Sequence, residues 1–254
     1  MSNTIYYFTG TGNSLYSAKK IAENIGCNSL TSIAEAVKNN NLKCDTNFIG
    51  IVSPVYSLGL PKIVSEFLKK SDFSKNSYIF LILTAGNPAV TAAVTEAKTI
   101  LKKKGVSLSY GIAVQMPDNA ILFFNPVQQS IEEKTEFDIK LAQISSSILK
   151  KEIFLKSEFK LLAILPYFFK LFSNKLDRFF KVNSSCTGCH LCEKACPVKN
   201  ITIVDNSPQW NRKCELCFGC INICPSKSIN YTNATKSKNR YINQNVDLKE
   251  LLKN

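Results

Sequence analysis

Cys186-Thr187-Gly188-Cys189-His190-Leu191-Cys192-Glu193-Lys194-Ala195-Cys196-Pro197 decides one end of this chain, because its spacing returns 28 residues later as Cys214-x-x-Cys217-x-x-Cys220-x-x-x-Cys224-Pro225. Eight of the ten cysteines are used in these two runs. Three thiolates spaced by two residues wrap one iron–sulfur cluster. The fourth, carried past a short helical turn and stopped by proline, points toward the neighbouring cluster. The spacing predicts two [4Fe-4S] clusters: cluster I held by Cys186, Cys189, Cys192 and Cys224, and cluster II held by Cys214, Cys217, Cys220 and Cys196.

Zinc sites use two Cys-x-x-Cys knuckles or Cys/His pairs, which leaves a third cysteine and a Cys-Pro in each run without a role. Disulfides need an oxidising compartment, and Met1-Ser2-Asn3-Thr4 stands directly before an apolar run, with no leader-like pattern. The thiols are expected to be reduced and the protein cytoplasmic. The repeat runs past the ligands: Pro197-Val198-Lys199-Asn200-Ile201 aligns with Pro225-Ser226-Lys227-Ser228-Ile229, each a turn into a short strand. Segment 183–231 resembles a bacterial two-[4Fe-4S] ferredoxin domain, α+β in class. His190, the one histidine, is expected to hydrogen-bond a backbone or sulfur group. Trp210, on a predicted hairpin, is expected to shield a cluster.

The remainder of the 254 residues is long enough for a second core, and an apolar fraction of 45% with 20% charged is ordinary for a globular protein. Thr4 to Phe8 is a β-rich run followed at once by Thr9-Gly10-Thr11-Gly12-Asn13-Ser14 and a helical pattern through Ile25. Glycines and hydroxyl residues at a helix N-terminus present N–H groups and the positive dipole end to a phosphate. A Walker A loop would need Lys where Asn13 stands, and a dinucleotide fingerprint a third Gly where Leu15 stands. Asn47 to Val52 reads as a buried strand ending in Pro54-Val55-Tyr56-Ser57-Leu58-Gly59, before a helix through Lys70. Ser77 to Leu83 reads as another, ending in Thr84-Ala85-Gly86-Asn87, before a helix through Lys104. Three strands ending in Gly- and hydroxyl-rich loops place a ligand at their carboxyl ends.

Thr9 to Ser14 resembles the flavodoxin phosphate loop, and Pro54-Val55-Tyr56 with Gly59 resembles the second flavin loop. The whole chain is similar to the EFR-type flavodoxin–ferredoxin fusion proteins of anaerobic microbes. The resemblance implies a flavodoxin-like doubly wound parallel sheet over 1–152 that binds FMN. Thr9 to Ser14 would hold its phosphate, Tyr56 would contact the ring, and Thr84 to Asn87 would form the third loop. It also implies that a peptide at Gly59 can turn toward the reactive edge of the flavin.

Val106 to Gln115 is read as the last strand of the sheet, and Met116 to Phe124 as an apolar excursion that buries the flavin edge or receives the second domain. A helix is expected from near Pro126 to about Glu152. Segment 153–182 is apolar and basic, and its apolar run between Lys160 and Lys170, nine residues with Pro166 among them, is too short for a span of about 20 apolar residues. It is read as a helical connector and, with its Lys flanks, as a candidate peripheral membrane contact. Segment 232–254 is read as a basic C-terminal tail ending in a short helix.

The formal charge of +13 is concentrated in the connector and tail and favours acidic redox partner proteins. Nucleic acid is not expected, because the lysines are dispersed and no nucleic-acid-binding motif occurs. A flavin and two clusters in one chain imply an electron relay between FMN, the clusters and external redox partners. The alternative is an FMN-dependent oxidoreductase that reduces a small electron-poor substrate with electrons delivered through the clusters. No acid–base constellation stands out as catalytic. Two four-iron clusters predict about eight irons per fully loaded chain. Iron and acid-labile sulfide analysis checks this, and half that content or zinc in its place overturns it.

Overall fold

The computed structural model describes residues 3–73, 77–89, 92–156 and 170–252. Its N-terminal part is a six-stranded parallel sheet. The strands are β1 (Asn3–Tyr7), β2 (Ser29–Ser32), β4 (Phe48–Pro54), β6 (Tyr78–Ala85), β7 (Tyr110–Gln115) and β8 (Phe154–Leu155), hydrogen-bonded in the order β2-β1-β4-β6-β7-β8. Two short strands, β3 (Lys43–Cys44) and β5 (Asp72–Phe73), pair apart from the sheet. Setting those two aside, the first five strands of the sheet stand in the flavodoxin order 2-1-3-4-5. β4 is buried at every residue and β6 at all but its last, as expected of parallel strands covered on both faces.

Helices α1 (Asn13–Ile25) and α5 (Ile131–Leu149) cover one face. Leu15, Ile21, Phe137 and Leu141 pack there with Val52 and Ile82 of the sheet. Helices α2 (Ile33–Lys38), α3 (Lys62–Lys70) and α4 (Ala93–Lys103) cover the other, with Ile63, Phe67 and Leu101 against Ile51 and Leu81. Ser130 opens α5 with a capping box to Glu133, which explains a start five residues after Pro126.

Residues 180–231 form a small α+β unit of two antiparallel pairs, β9 (Phe180–Val182) with β12 (Ile229–Tyr231), and β10 (Ile201–Val204) with β11 (Ser207–Trp210). Its core gathers Phe180, Ile201, Leu216, Phe218, Ile221, Ile229 and Tyr231 around the cysteines. Ile121, fully buried, enters this core from the excursion after β7, so that excursion does receive the second domain.

One expectation differs from the structure, and one strand and helix went unread. The sheet does not stop at Gln115: Phe154 donates to Ser109 and Lys156 to Gly111, adding β8 inside the stretch read as connector. β2 and α2 went unread because Ser29-Leu30-Thr31-Ser32 is short and mixed, and its pairing with β1 supplies the order that its composition does not. Of the segment read as a helical connector, 153–182, residues 157–169 lie outside the described residues, Ser173–Phe179 form a 3-10 helix and Phe180–Val182 form β9. No helix among the described residues is long and apolar enough to cross a membrane.

A Cβ at Gly50 would sit 2.3 Å from Phe80 Cζ and 2.9 Å from Ile5 Cγ1. Gly50→Ala should therefore cost about 1–3 kcal/mol by overpacking. Thermal unfolding followed by circular dichroism should show a lowered midpoint, and an unchanged midpoint would show that the ring of Phe80 can move aside.

Candidate functional site

Strand order reverses at β1, where one connection leads out to β2 and the next crosses to β4, so the loops after β1 and β4 diverge and leave a crevice. A cavity of about 600 Å³ opens there. Of the sixteen residues expected to bind the cofactor, Thr9, Gly10, Thr11, Asn13, Ser14, Pro54, Val55, Tyr56, Ser57, Leu58, Thr84, Ala85, Gly86 and Asn87 line it, and Gly12 and Gly59 do not. The excursion closes one side through Met116 to Ala120 and Leu122 to Phe124. The opposite wall is Leu216, Cys217, Phe218 and Tyr231, from the second cysteine run and the strand after it.

The N-terminus of α1 carries no side-chain cap and no acidic residue in its first turn, so its N–H groups and dipole are open to an anion. Gly12 holds φ 102, and its N–H donates to Thr9 Oγ1 at 3.0 Å. Ser14 and Thr84 hydroxyls meet at 2.8 Å, tying the first loop to the third. Asn13, expected to face a phosphate, spends its amide elsewhere: it donates to Pro117 O at 3.0 Å and accepts from Tyr241 Oη at 2.6 Å and Asn243 Nδ2 at 3.1 Å. Asn243 N also donates to Thr11 O, and a Cβ on Gly12 would meet Asn243 Cβ at 3.0 Å. Gly12 thus makes room for the tail.

The expected role of Gly59 also changes. Tyr56 and Gly59 exchange backbone hydrogen bonds of 2.9 and 3.0 Å across a two-residue turn, and the left-handed angles fall on Ser57 (φ 44) and Leu58 (φ 68) rather than on the glycine. Non-glycine residues in that region are strained. Glu96 Oε2 accepts from Leu60 N at 3.1 Å, and Ala92 N donates to Leu58 O at 2.7 Å, which holds the turn in place from α4. Lys170, just after the undescribed stretch, pairs with Glu96 and donates to Ser65 Oγ.

The cysteines fall into two groups. Cys186, Cys189, Cys192 and Cys224 line one small cavity. Burial, and after it the charges of Cys217, Cys214, Cys196 and Cys192, push the Cys220 thiol well above the usual range. Among the described residues no three His, Cys, Asp or Glu side chains meet closely enough for one metal ion. Burial pushes Cys192 and Cys217 up to about 12, so their thiolates need the counter-charge of iron. At Cys224 burial is outweighed by the hydroxyls of Ser228 and Ser226, which hold the thiol below its usual value. Asn200 N donates to Cys196 Sγ at 3.2 Å and Leu216 N to Cys214 Sγ at 3.3 Å, as sulfur ligands of a cluster require. His190 bonds neither backbone nor sulfur there; its Nδ1 lies 2.7 Å from Glu193 Oε2. Trp210 stacks on Phe180 at 4.9 Å.

These geometries agree with the family comparison, in which residues 179–242 match the 4Fe-4S dicluster domain. The chain joins a flavodoxin-like domain to a dicluster domain. Comparison with curated proteins finds no match. Among solved structures the chain is similar to a flavodoxin from the domain Archaea, at 10% identity over 59% of this chain and 98% of that one, TM-score 0.37. It is also similar to an FMN-dependent NADH-azoreductase from Bacillus anthracis in complex with FMN, at 10% identity over 59% and 100%, TM-score 0.40. A third is the Trp repressor binding protein from Bacillus subtilis, at 12% identity over 61% and 100%, TM-score 0.40. The flavodoxin-like assignment rests on strand order.

The two domains share backbone contacts that the sequence did not reveal. A Cβ on Gly10 would meet Cys217 Cβ at 3.0 Å, and one on Gly219 would meet Gly10 O at 2.9 Å, so both glycines permit the cysteine loop to lie on the first flavodoxin-like loop. Glu215, buried inside that cysteine run, accepts from Lys62 N and Ile63 N, each at 2.8 Å, and caps α3 across the domain boundary. Burial raises its carboxyl to about 7 against the pull of those two donors. Glu215→Ala leaves both N–H groups without an acceptor and should cost about 1–3 kcal/mol, with Glu215→Gln recovering part. Thermal unfolding of the three proteins measures this, and an Ala variant as stable as wild type would show that the contact carries no energy.

Proposed function

We propose that this iron–sulfur flavoprotein is an electron relay, with FMN in the cavity at the β1–β4 crevice. Cluster I would be held by Cys186, Cys189, Cys192 and Cys224, and cluster II by Cys214, Cys217, Cys220 and Cys196. The observation that carries the reading is the shared wall: Cys217 and Phe218 line the same cavity as Thr9, Gly10 and Tyr56. The uncapped α1 terminus supplies N–H donors for the phosphate, and the apolar stretch from Val55 to Leu58 with Phe123 suits a flat ring. When bound, FMN exchanges one or two electrons and each cluster one. The chain's own residues hold these groups together and exclude water between them.

Cluster I would include the exposed Cys189, whereas cluster II would include the buried Cys196 and Cys220 and no exposed cysteine, so external electrons would enter or leave at cluster I. Exposed Lys194 and Lys227 lie beside its cysteines in the chain and favour acidic redox proteins of a reducing cytoplasm. A reductase reading has one specific support, the pair Phe123 and Phe124, 74% and 53% exposed at the rim of the cavity, where a flat electron-poor substrate could stack.

Anaerobic reconstitution followed by rapid mixing with a reduced low-potential donor tests the relay. Clusters and flavin should be reduced in sequence in wild type, and Cys196→Ala should remove cluster II with most of the flavin reduction while cluster I stays reducible. Loss of cluster I instead would overturn the crossed ligand assignment, and unimpaired flavin reduction would overturn the route. Steady turnover of a quinone with the same donor would favour the reductase reading.

A further inference from the structure

Tyr56 touches both redox sites. Its ring lines the cavity, held edge-on by Phe8 at 6.2 Å and from behind by the paired turn through Gly59. Its hydroxyl is buried and has no hydrogen-bond partner among the described residues. The hydroxyl lies 3.1 Å, and Cys217 Cβ 3.0 Å, from the point a Gly10 Cβ would occupy, so the two flank a single spot at the domain boundary. Beyond burial, the groups that act most strongly on the phenol are Cys217, Glu215 and Cys214, all in the second cysteine run. The Glu215 carboxylate already receives the N–H groups of Lys62 and Ile63. A buried hydroxyl without a partner is destabilising, and the acceptors of the second cysteine run beside it are the side chain of Cys217 and its carbonyl oxygen, which lies 3.2 Å from the same Gly10 Cβ point.

We infer that the Tyr56 hydroxyl donates a hydrogen bond to a sulfur of cluster II, at or beside Cys217, and that this bond raises the reduction potential of that cluster. The physical basis is charge. Sulfur gains negative charge on reduction, a donor aimed at it strengthens as it does, and hydrogen bonds to the sulfurs are among the factors that set cluster potentials. One side chain would then carry the flavin contact on its ring and the tuning of cluster II on its hydroxyl. The inference rests on the proposal that Cys217 belongs to cluster II.

Tyr56→Phe in the fully loaded protein removes the donor and keeps the ring. Iron and flavin contents, read first, should equal those of wild type. An anaerobic titration followed by EPR should then show one of the two cluster potentials moved to a more negative value, by up to about tenfold in the reduction equilibrium or ~59 mV for one electron, with the other unmoved. Pulsed EPR of the reduced clusters in H2O and D2O should show in wild type, beyond the couplings of the Asn200 and Leu216 N–H groups, an exchangeable proton coupling that Tyr56→Phe lacks. Unchanged potentials with flavin lost would assign the hydroxyl to the flavin and overturn the inference, as would the absence of that further exchangeable coupling in wild type. A shifted cluster in a protein that binds no flavin would support the hydroxyl contact while overturning the relay.

Discussion

Everything that joins the two halves of this protein depends on a close approach of backbone to backbone. Gly10, in the first loop of the flavodoxin-like domain, lies against Cys217 and Gly219 of the dicluster domain at distances that leave no room for a Cβ on Gly219 and barely room for one on Gly10. Side chains at both positions would part the domains, and the wall common to the cavity and the cysteines would open to water. Electrostatic interactions in such a gap are strong because the dielectric is low, so its closure also determines how strongly the cysteine thiols are perturbed. The upward shift of Cys217 and Cys220 reflects that burial.

Around this contact the chain builds further ties. Glu215 replaces the missing side-chain cap of α3, whose N-cap Pro61 makes no such bond, with a carboxylate from the other domain. The tail then crosses both domains. Tyr241, 1% exposed, donates its backbone N–H to Asn222 Oδ1 in the dicluster domain and its hydroxyl to Asn13 Oδ1 in the flavodoxin-like loop. Val246 and Leu251 join the core against α1, and Glu250 pairs with Lys19. Arg240 is bound to Ile229 O, Asn230 Oδ1 and Thr235 O, which places its charge near the cysteines; burial lowers its pKa and Cys224 opposes that shift. A segment that looks like a solvated basic tail is a strap.

The two cysteine groups differ in exposure, and the difference follows from which side faces the partner domain. The group with Cys189 looks outward, while the group with Cys217 and Cys220 looks toward the cavity. On the proposed ligand assignment this gives the relay a direction in space, from the surface through the interior to the flavin, although the two halves of the repeat are nearly identical in spacing.

The sequence by itself determined what depends on local chemistry. Cysteine spacing with Cys-Pro stops is a ligand pattern whatever surrounds it, and the run from Thr9 to Ser14 between strand and helix is an anion loop by backbone geometry alone. The buried runs around Ile51 and Leu81 are long and apolar enough to be parallel strands without further context. Only the tertiary structure decided the roles that depend on distant partners. The Asn13 side chain and Gly12 also seat the tail, because Tyr241 and Asn243, some 230 residues away, arrive there. Ser57 and Leu58, not Gly59, take the left-handed angles because α4 holds the turn through Ala92 and Glu96. Glu215 reads as a spacer between cysteines until α3 presents two free N–H groups to it, and no periodicity or spacing within the chain encodes that meeting.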